Sequence, residues 1–397
     1  MTGLHLSAAL NDAGWHPAAW RDPAARPAGL FTARYWTDLA TEAERGLLDF
    51  VTIDDSLGLQ SSGPTVPDDR TDQVRGRLDA VLVAARIAPA TERIGLVPAT
   101  ITTHTEPFHV AIGIASLDHA SRGRAGWQPR VGARLSDAAH FGRRAFPDLD
   151  RPWSATAEGA ALGAELFGEA GDVVEVVRRL WDSWEDDAEI RDAATGRFLD
   201  RDKVHYIDFE GARFSVRGPS ITPRPPQGQP LVTALACGVR SYEFAARGAD
   251  VVFVTPRSRA DAFAVVAQIR EAERTVRRSG EPLRILADLV VFLDEAPGAA
   301  VSRKARLDDL DGAPLDSDAE IFTGTPGELA DLLLDWRNAG LDGFRLRPGV
   351  LPSDLAGITR GLVPVLQERG AFRTGYQAAT LRGHLGLARP ANRYAAT

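Results

Sequence analysis

The sequence contains little cysteine and little lysine. Cys237 is the single cysteine, and Lys203 and Lys304 are the two lysines among 397 residues. One cysteine excludes an intrachain disulfide and a cysteine-rich metal site. The first residues lack a basic start followed by an apolar run, and no apolar run approaches the roughly 20 residues of a spanning helix. We therefore expect neither a signal peptide nor a membrane segment.

Excess positive charge is also absent. The formal net charge is -8 at pH 7, which gives no electrostatic support for binding nucleic acid or an anionic membrane. A hydrophobic content of 44% with 25% charged residues is typical of a globular protein, and we expect a cytoplasmic location. The length allows one large domain or two to three ordinary ones.

Short apolar runs alternate with amphipathic segments along the whole chain. The runs that we interpret as strands cover residues 4–10, 50–53, 94–97, 124–128, 231–235, 251–254, 284–292 and 343–346. Apolar residues recur at helical spacing between them, as in residues 71–87 and 172–184. Eight strand-then-helix units favour a closed parallel (β/α)8 TIM barrel of the α/β class over an open sheet.

The length exceeds that of a minimal barrel, so the single domain predicted over residues 1–397 must contain insertions. We place these insertions near residues 130–171, 186–230 and 294–323. The tail at 370–397 has weak periodicity, and we expect it to wrap the barrel or a partner.

Active sites of such barrels lie at the C-terminal ends of the strands. That rule predicts a shared mouth for residues that follow strands one to five: Asn11, His16, Asp54, Asp55, Ser56, Thr100, Thr102, Thr103, His104, Trp127, Gln128 and residues 237–241. This set is polar and mostly uncharged, which argues against the paired carboxylates of a glycosidase and offers no metal site. A Ser-His-Asp triad stays open, although no GxSxG motif is present. A neutral polar mouth suits a cofactor that brings its own reactivity.

The segment CGVRSYEFAAR has the features of an anion site. Gly238 permits close backbone approach, Ser241 is placed to cap the following helix, and Arg240 adds positive charge. An ordinary capped helix is the alternative interpretation. Cys237 is expected to be a small buried filler.

The stretch SLDHASRGRAGWQ ends a helix and begins a short strand. Trp127 and Gln128 at its end are interpreted either as the lip of a pocket or as a core strand with an exposed amide.

Four ordered blocks resemble the bacterial luciferase-like flavin monooxygenases, and in particular the nitrilotriacetate, EDTA and dibenzothiophene-sulfone monooxygenases. They read TERIGLVPATITTHTEPFHVAIGIASLDHASRGRAGWQ, VVRRLWDSWEDDA, FSVRGPSITPRPPQGQPLV and TPGELADLLLDWRNAGLDGFRLRP. The resemblance runs from about residue 40 towards the end of the sequence. It implies a homodimeric barrel that uses reduced FMN from a separate flavin reductase. A flavin hydroperoxide would insert one oxygen atom into a small-molecule substrate.

The same resemblance implies roles for individual residues. Asp55, Thr103 and Gln128 match positions that hold the flavin, although Gln128 stands where the family usually has asparagine. His104 would lie near the reactive edge of the flavin, as the catalytic acid–base or hydrogen-bond donor.

Positions implied at the phosphate end depart from the family pattern. Gly163 and Phe167 stand where the family often has histidine and tyrosine, and Gly238 stands where it has serine. Ser241 and Arg240 are the groups that could compensate. The departures leave two alternatives open: a deazaflavin as cofactor, or a non-catalytic subunit that partners an active chain.

Overall fold

A closed parallel barrel forms the centre of the molecule. The computed structural model describes residues 3–61, 68–147, 156–276 and 280–395. Its barrel strands are β1 (His5–Leu10), β2 (Phe50–Ile53), β3 (Gly95–Ile101), β4 (Gly126–Arg130), β5 (Leu231–Leu235), β6 (Val251–Val254), β7 (Arg284–Leu293) and β8 (Gly343–Pro348). They pair in parallel in the order β6-β5-β4-β3-β2-β1-β8-β7, and pairing of β6 with β7 closes the ring. The predicted TIM barrel is therefore confirmed.

Helices surround this ring. They are α1 (Ala33–Arg45), α2 (Ala80–Ile87), α3 (Pro107–Ser121), α4 (Leu135–Phe141), α5 (Ala157–Asp182), α6 (Val239–Gly248), α7 (Arg259–Val276), α8 (Ala299–Asp311) and α9 (Pro326–Arg337). A further helical run covers Ser353–Ala356, the π-helix Gly357–Leu362 and Val363–Glu368, and a short helix covers Leu381–His384. Single 3-10 turns lie at Ala19–Arg21, Pro27–Gly29, Ala88–Ala90 and Arg201–Lys203.

Two predicted helix starts are wrong. The helix expected from residue 71 begins at Ala80, because the Asp79 side chain caps it by accepting a hydrogen bond from Leu82 N–H at 2.8 Å. The helix expected from residue 172 begins at Ala157, where Thr156 Oγ1 accepts from Gly159 N–H at 3.1 Å. The stretch predicted as an insertion near 130–171 thus contains α4 and the first half of α5.

Short strands lie in or near the other two predicted insertions. Antiparallel hairpins pair Glu189–Asp192 with Arg197–Leu199 and Phe209–Glu210 with Ser215–Val216. The strand Glu320–Gly324, which was not predicted from the sequence, pairs in parallel with the end of β7 outside the ring. All three lie within or at the edge of the segments expected to interrupt the barrel.

Successive side chains of strand β4 point to opposite sides of the barrel wall. The Trp127 ring packs edge-to-face on Trp181 of α5, with ring centroids 6.3 Å apart, and its Nε1 donates to Thr100 Oγ1 at 2.8 Å. The next residue, Gln128, points into the barrel because successive side chains of a strand alternate. Trp127 is therefore a core residue, and Gln128 is the one that lines the interior.

The tail closes the N-terminal end of the barrel, which we call the floor. Leu381, Leu385 and Leu387 form one buried apolar cluster with side chains from the barrel strands, including Phe50 and Val97. Glycines at the strand starts leave room for this plug. A Cβ built on Gly95, for example, would lie 2.5 Å from Leu381 Cδ1. The tail expected to wrap the barrel or a partner thus packs against the barrel.

Among the residues that the structure describes, no helix has the length and apolar character needed to cross a membrane.

Candidate active site

A buried charge network occupies the C-terminal end of the barrel, which we call the mouth. Arg345 and Arg347 alternate on β8, so both side chains enter the interior. Arg345 donates from Nε and Nη2 to the two carboxylate oxygens of Asp288, at 2.7 and 2.5 Å. Arg347 also bonds to Asp288 and reaches Asp318 Oδ1 at 2.6 Å. Burial of these groups requires this pairing, because an unpaired buried charge is costly.

The amide of Gln128 is held by this network. Arg345 Nη1 donates to Gln128 Oε1 at 3.0 Å, and the Arg345 guanidinium lies 3.9 Å from the centroid of the Phe253 ring. Gln128 also lines a cavity of about 240 Å³ beside Trp15 and Arg130. The amide oxygen of Gln128 thus already accepts a hydrogen bond from Arg345. The NH2 group of Gln128 remains available to a ligand in that cavity.

A second cavity, of about 270 Å³, adjoins the first through Asp54 and Arg130, which line both. Arg77 Nη1 lies 2.9 Å from Asp54 Oδ2, and Arg130 bonds to the other carboxylate oxygen. Burial alone would raise the pKa of Asp54, but the guanidinium groups of Arg130 and Arg77 outweigh it and hold that pKa well below its ordinary range. The Asp54 side chain at the mouth is therefore ionised at neutral pH.

Asp55 lines the second cavity and behaves in the opposite way. Burial raises its pKa to about 6, a backbone hydrogen bond at Ser56 opposes this, and the carboxylates of Asp79 and Asp54 add to the rise. This carboxyl group can consequently exchange a proton near neutral pH.

His104 lies in a neighbouring cavity of about 200 Å³ that Thr103 also lines. Its ring stacks on Phe141 of α4, with centroids 5.1 Å apart and an interplanar angle of 5°, and meets Phe146 edge-on. Burial lowers its pKa. Nε2 is buried without a hydrogen-bond partner among the described residues. His104 is thus a neutral imidazole whose Nε2 is unused, while Thr103 Oγ1 accepts from Gly132 N–H at 3.0 Å.

The predicted phosphate loop is already satisfied by its own serine. Ser241 Oγ accepts from the N–H groups of Cys237 at 3.0 Å and Gly238 at 3.2 Å, and donates to the Gly238 carbonyl at 2.9 Å. Arg240 is exposed and lines a groove of about 460 Å³ between α5 and α6. Cys237 is exposed, so its prediction as a buried filler was wrong.

Gly163 and Phe167 lie on α5 beside this groove. Gly163 is buried, and the Phe167 ring packs edge-to-face on Phe244 of α6 with centroids 5.7 Å apart. Neither side chain offers a hydrogen-bond donor. Asp55, His104 and Gln128 line three different cavities, whereas Gly163 and Phe167 offer no side-chain donor for an anion at the groove between α5 and α6.

The expectation of a mostly uncharged mouth was wrong. The structure adds charged residues that were not predicted from the sequence: Arg77, Arg130, Arg134, Asp288, Asp318, Arg345 and Arg347. The available signal was the placement of charges at alternate positions inside otherwise apolar strands, as in Arg345 and Arg347.

Other residues predicted for the mouth have structural partners. His16 Nε2 lies 3.0 Å from Asp308 Oδ1, and Asn11 Oδ1 accepts from Arg77. No group of three or more metal-ligating side chains occurs in the part of the chain that the structure describes.

This arrangement, a closed barrel with titratable groups at its C-terminal end, is that of an enzyme site. The family model for luciferase-like monooxygenases matches residues 13–314. N-acetyl-S-(2-succino)cysteine monooxygenase of Bacillus subtilis (strain 168) is 31% identical over 99% of this chain and 98% of that protein. Nitrilotriacetate monooxygenase component A of Aminobacter aminovorans is 31% identical, over 98% and 97% of the two chains.

A solved structure of riboflavin lyase with modified FMN and riboflavin has a TM-score of 0.85 at 26% identity, over 98% of this chain and 97% of that chain. The chain belongs to the luciferase-like monooxygenases, a family of enzymes. The family predicted from the sequence blocks is confirmed.

Proposed function

We propose that the protein is a flavin-dependent monooxygenase that adds one oxygen atom from O2 to a small organic molecule, using reduced FMN from a separate flavin reductase. The observation that carries this proposal is the near-complete match, at 31% identity, to two enzymes named as monooxygenases. One of them is named as a component A, which supports a reductase as a separate partner.

FMN is the cofactor that the relatives favour over a deazaflavin. A structure 26% identical to this chain is described with modified FMN. In this protein, Asp55, Thr103 and Gln128 would contact the ring, and Arg240 would approach the phosphate. When bound, the reduced flavin supplies the electrons that activate oxygen. Because Gly163 and Phe167 offer no donors, we expect weak binding, which suits a flavin delivered by a reductase.

His104 is the proposed catalytic acid–base or hydrogen-bond donor. Its lowered pKa keeps the imidazole neutral, so one ring nitrogen can donate while the other accepts. The stacked Phe141 ring and burial of the side chain keep water away from Nε2. A neutral, shielded imidazole can hold a proton near an oxygen atom of the reaction without losing it to solvent.

We also propose a homodimer, which the surface of α2 and α3 supports. α3 has one acidic residue, the buried Asp118, and its exposed positions are His109, Ser116, His119 and Ala120. On α2, the Leu82 side chain is 70% exposed next to Ala85. The exposed positions of the two helices carry one arginine, Arg86, and no carboxylate, and a helical face with so few charges is typical of a subunit interface.

The test combines the protein with a flavin reductase, NADH, FMN and ¹⁸O2, and analyses a panel of small organosulfur and aminocarboxylate compounds by mass spectrometry. We expect one ¹⁸O atom in a product and faster oxygen consumption when its substrate is present. His104→Ala should fold and bind reduced FMN but lose most product formation. If no compound is oxygenated and reduced FMN does not bind, the proposal is wrong and a non-catalytic subunit is the better assignment.

A further inference from the structure

The mouth contains arginine side chains that the buried charge network does not neutralise. Each carboxylate of the network already binds an arginine: Asp288 binds Arg345 and Arg347, Asp318 binds Arg347, and Asp54 and Asp12 both bind Arg77. Arg130 shares Asp54 with Arg77 through a single Nη1 contact. The remaining N–H groups of Arg130 therefore face the two cavities that meet at this residue.

Arg134 has even fewer partners. Among the described residues it forms no ion pair, and its one hydrogen bond runs from Nη2 to the Ser61 carbonyl at a long 3.4 Å. The residue precedes α4 and lines the same cavity as Arg130. An arginine carries five N–H donors, so most donors of this guanidinium are unused.

The opposing charge in that cavity is small. Asp55 and Asp137 line it, and burial raises the pKa of Asp55 to about 6, so part of its population is uncharged near neutral pH. Asp54 is held by Arg77 and Arg130, which leaves the Arg134 guanidinium as the cation of this cavity that has no ion pair among the described residues. This unpaired guanidinium is the group that an anionic ligand would bind.

We propose that Arg130 and Arg134 bind a carboxylate group of the substrate, which makes the substrate a small organic acid. A planar guanidinium matches a carboxylate with two parallel hydrogen bonds, a geometry that lysine cannot supply. The rest of the molecule would lie in the cavity of about 270 Å³ that both arginines line, which leaves the cavity beside Gln128 to the flavin. This assignment names the substrate class of the function proposed above and therefore rests on it.

The experiment measures binding by isothermal titration calorimetry without flavin. The probes are succinate, glutarate and citrate, the matched neutral amides succinamide and glutaramide, and inorganic phosphate. We expect at least one acid to bind, its amide to bind at least ~10-fold more weakly, and Arg134→Gln to weaken the acid by a similar factor. Arg134→Lys should restore part of the loss.

Arg93→Gln is the matched control, because Arg93 is an exposed arginine before the start of β3, at the floor end. It should bind the acid as the parent protein does. Circular dichroism and the melting temperature establish that Arg134→Gln is folded. The proposal is overturned if no acid binds, if an amide binds as tightly as its acid, if phosphate binds better than every carboxylate, or if Arg134→Gln changes nothing.

The outcome is independent of the oxygenation assay. Acid binding without oxygenation would leave the carboxylate site standing and remove the proposed reaction. Oxygenation of a neutral compound without acid binding would support the proposed reaction and remove the carboxylate site.

Discussion

The two ends of the barrel are built from opposite chemistry. The mouth buries arginine–aspartate pairs such as Arg345 with Asp288, whereas the floor buries leucines, among them Leu381 and Leu385. Apolar burial at the floor stabilises the fold by about 1.5–3 kcal/mol for each large side chain. Charge burial at the mouth gives little net stability, because desolvation offsets most of the attraction. The floor thus holds the barrel together, and the mouth fixes charges in position.

The largest effect should follow from breaking the network at its centre. Asp288→Ala leaves Arg345 and Arg347 buried without their common carboxylate, and we expect the free energy of unfolding to fall by about 3–5 kcal/mol. Urea denaturation followed by circular dichroism measures this. A loss below about 1 kcal/mol would show that water already screens these charges.

A substitution at the floor should lower the stability of the protein without changing ligand binding at the mouth. Leu381→Ala removes a fully buried side chain and should cost about 3 kcal/mol in the same assay. Binding of the carboxylate probe at the mouth should be unchanged, because Leu381 packs in the floor cluster and lines neither mouth cavity. A weaker probe affinity in this variant would mean that the floor and the mouth are coupled.

Asp55→Asn should separate stability from function at the mouth. The pKa of Asp55 is raised to about 6 in the folded protein, so the parent protein gains stability as pH falls from 7 towards 4. The variant lacks this dependence and should be more stable by about 2 kcal/mol at pH 8, after allowance for partial exposure, with the difference shrinking towards pH 4. Melting temperatures across pH measure it. A constant difference at all pH values would contradict the raised pKa, and product formation should fall in the variant.

The smallest expected effect is a change in FMN affinity at the groove between α5 and α6. Phe167→Tyr adds a hydroxyl where the family often has tyrosine, and one hydrogen bond to a phosphate group should tighten FMN binding by ~10-fold. Fluorescence titration with FMN measures this, with riboflavin as the control that lacks the phosphate. Equal gains for both ligands would place the new contact away from the phosphate.

The fold could be predicted because each strand and helix carries its own periodicity. Short apolar runs such as Phe50–Ile53 and Val251–Val254 lie where they were expected. The start of α5 could not be found in this way, since its glycine- and alanine-rich first turns lack an apolar stripe. The strand Glu320–Gly324 was missed because it is only half-buried and lies outside the ring.

The site was harder to predict for a physical reason. Family motifs located Asp55, Thr103 and His104, and their proposed roles stay predictions. The charge network depends on pairs far apart in the chain: Arg345 and Asp288 are 57 residues apart. A single sequence contains the two charges but not their pairing, which arises only when β7 and β8 become neighbours.

The plug at the floor also has a consequence for how the chain folds. The segment containing Leu381 follows all eight strands, so every strand leaves the ribosome before the plug exists. Until that segment emerges, the nascent ring exposes an apolar opening that includes Phe50 and Val97. We expect the newly made barrel to present this apolar surface to chaperones until its own tail packs against it.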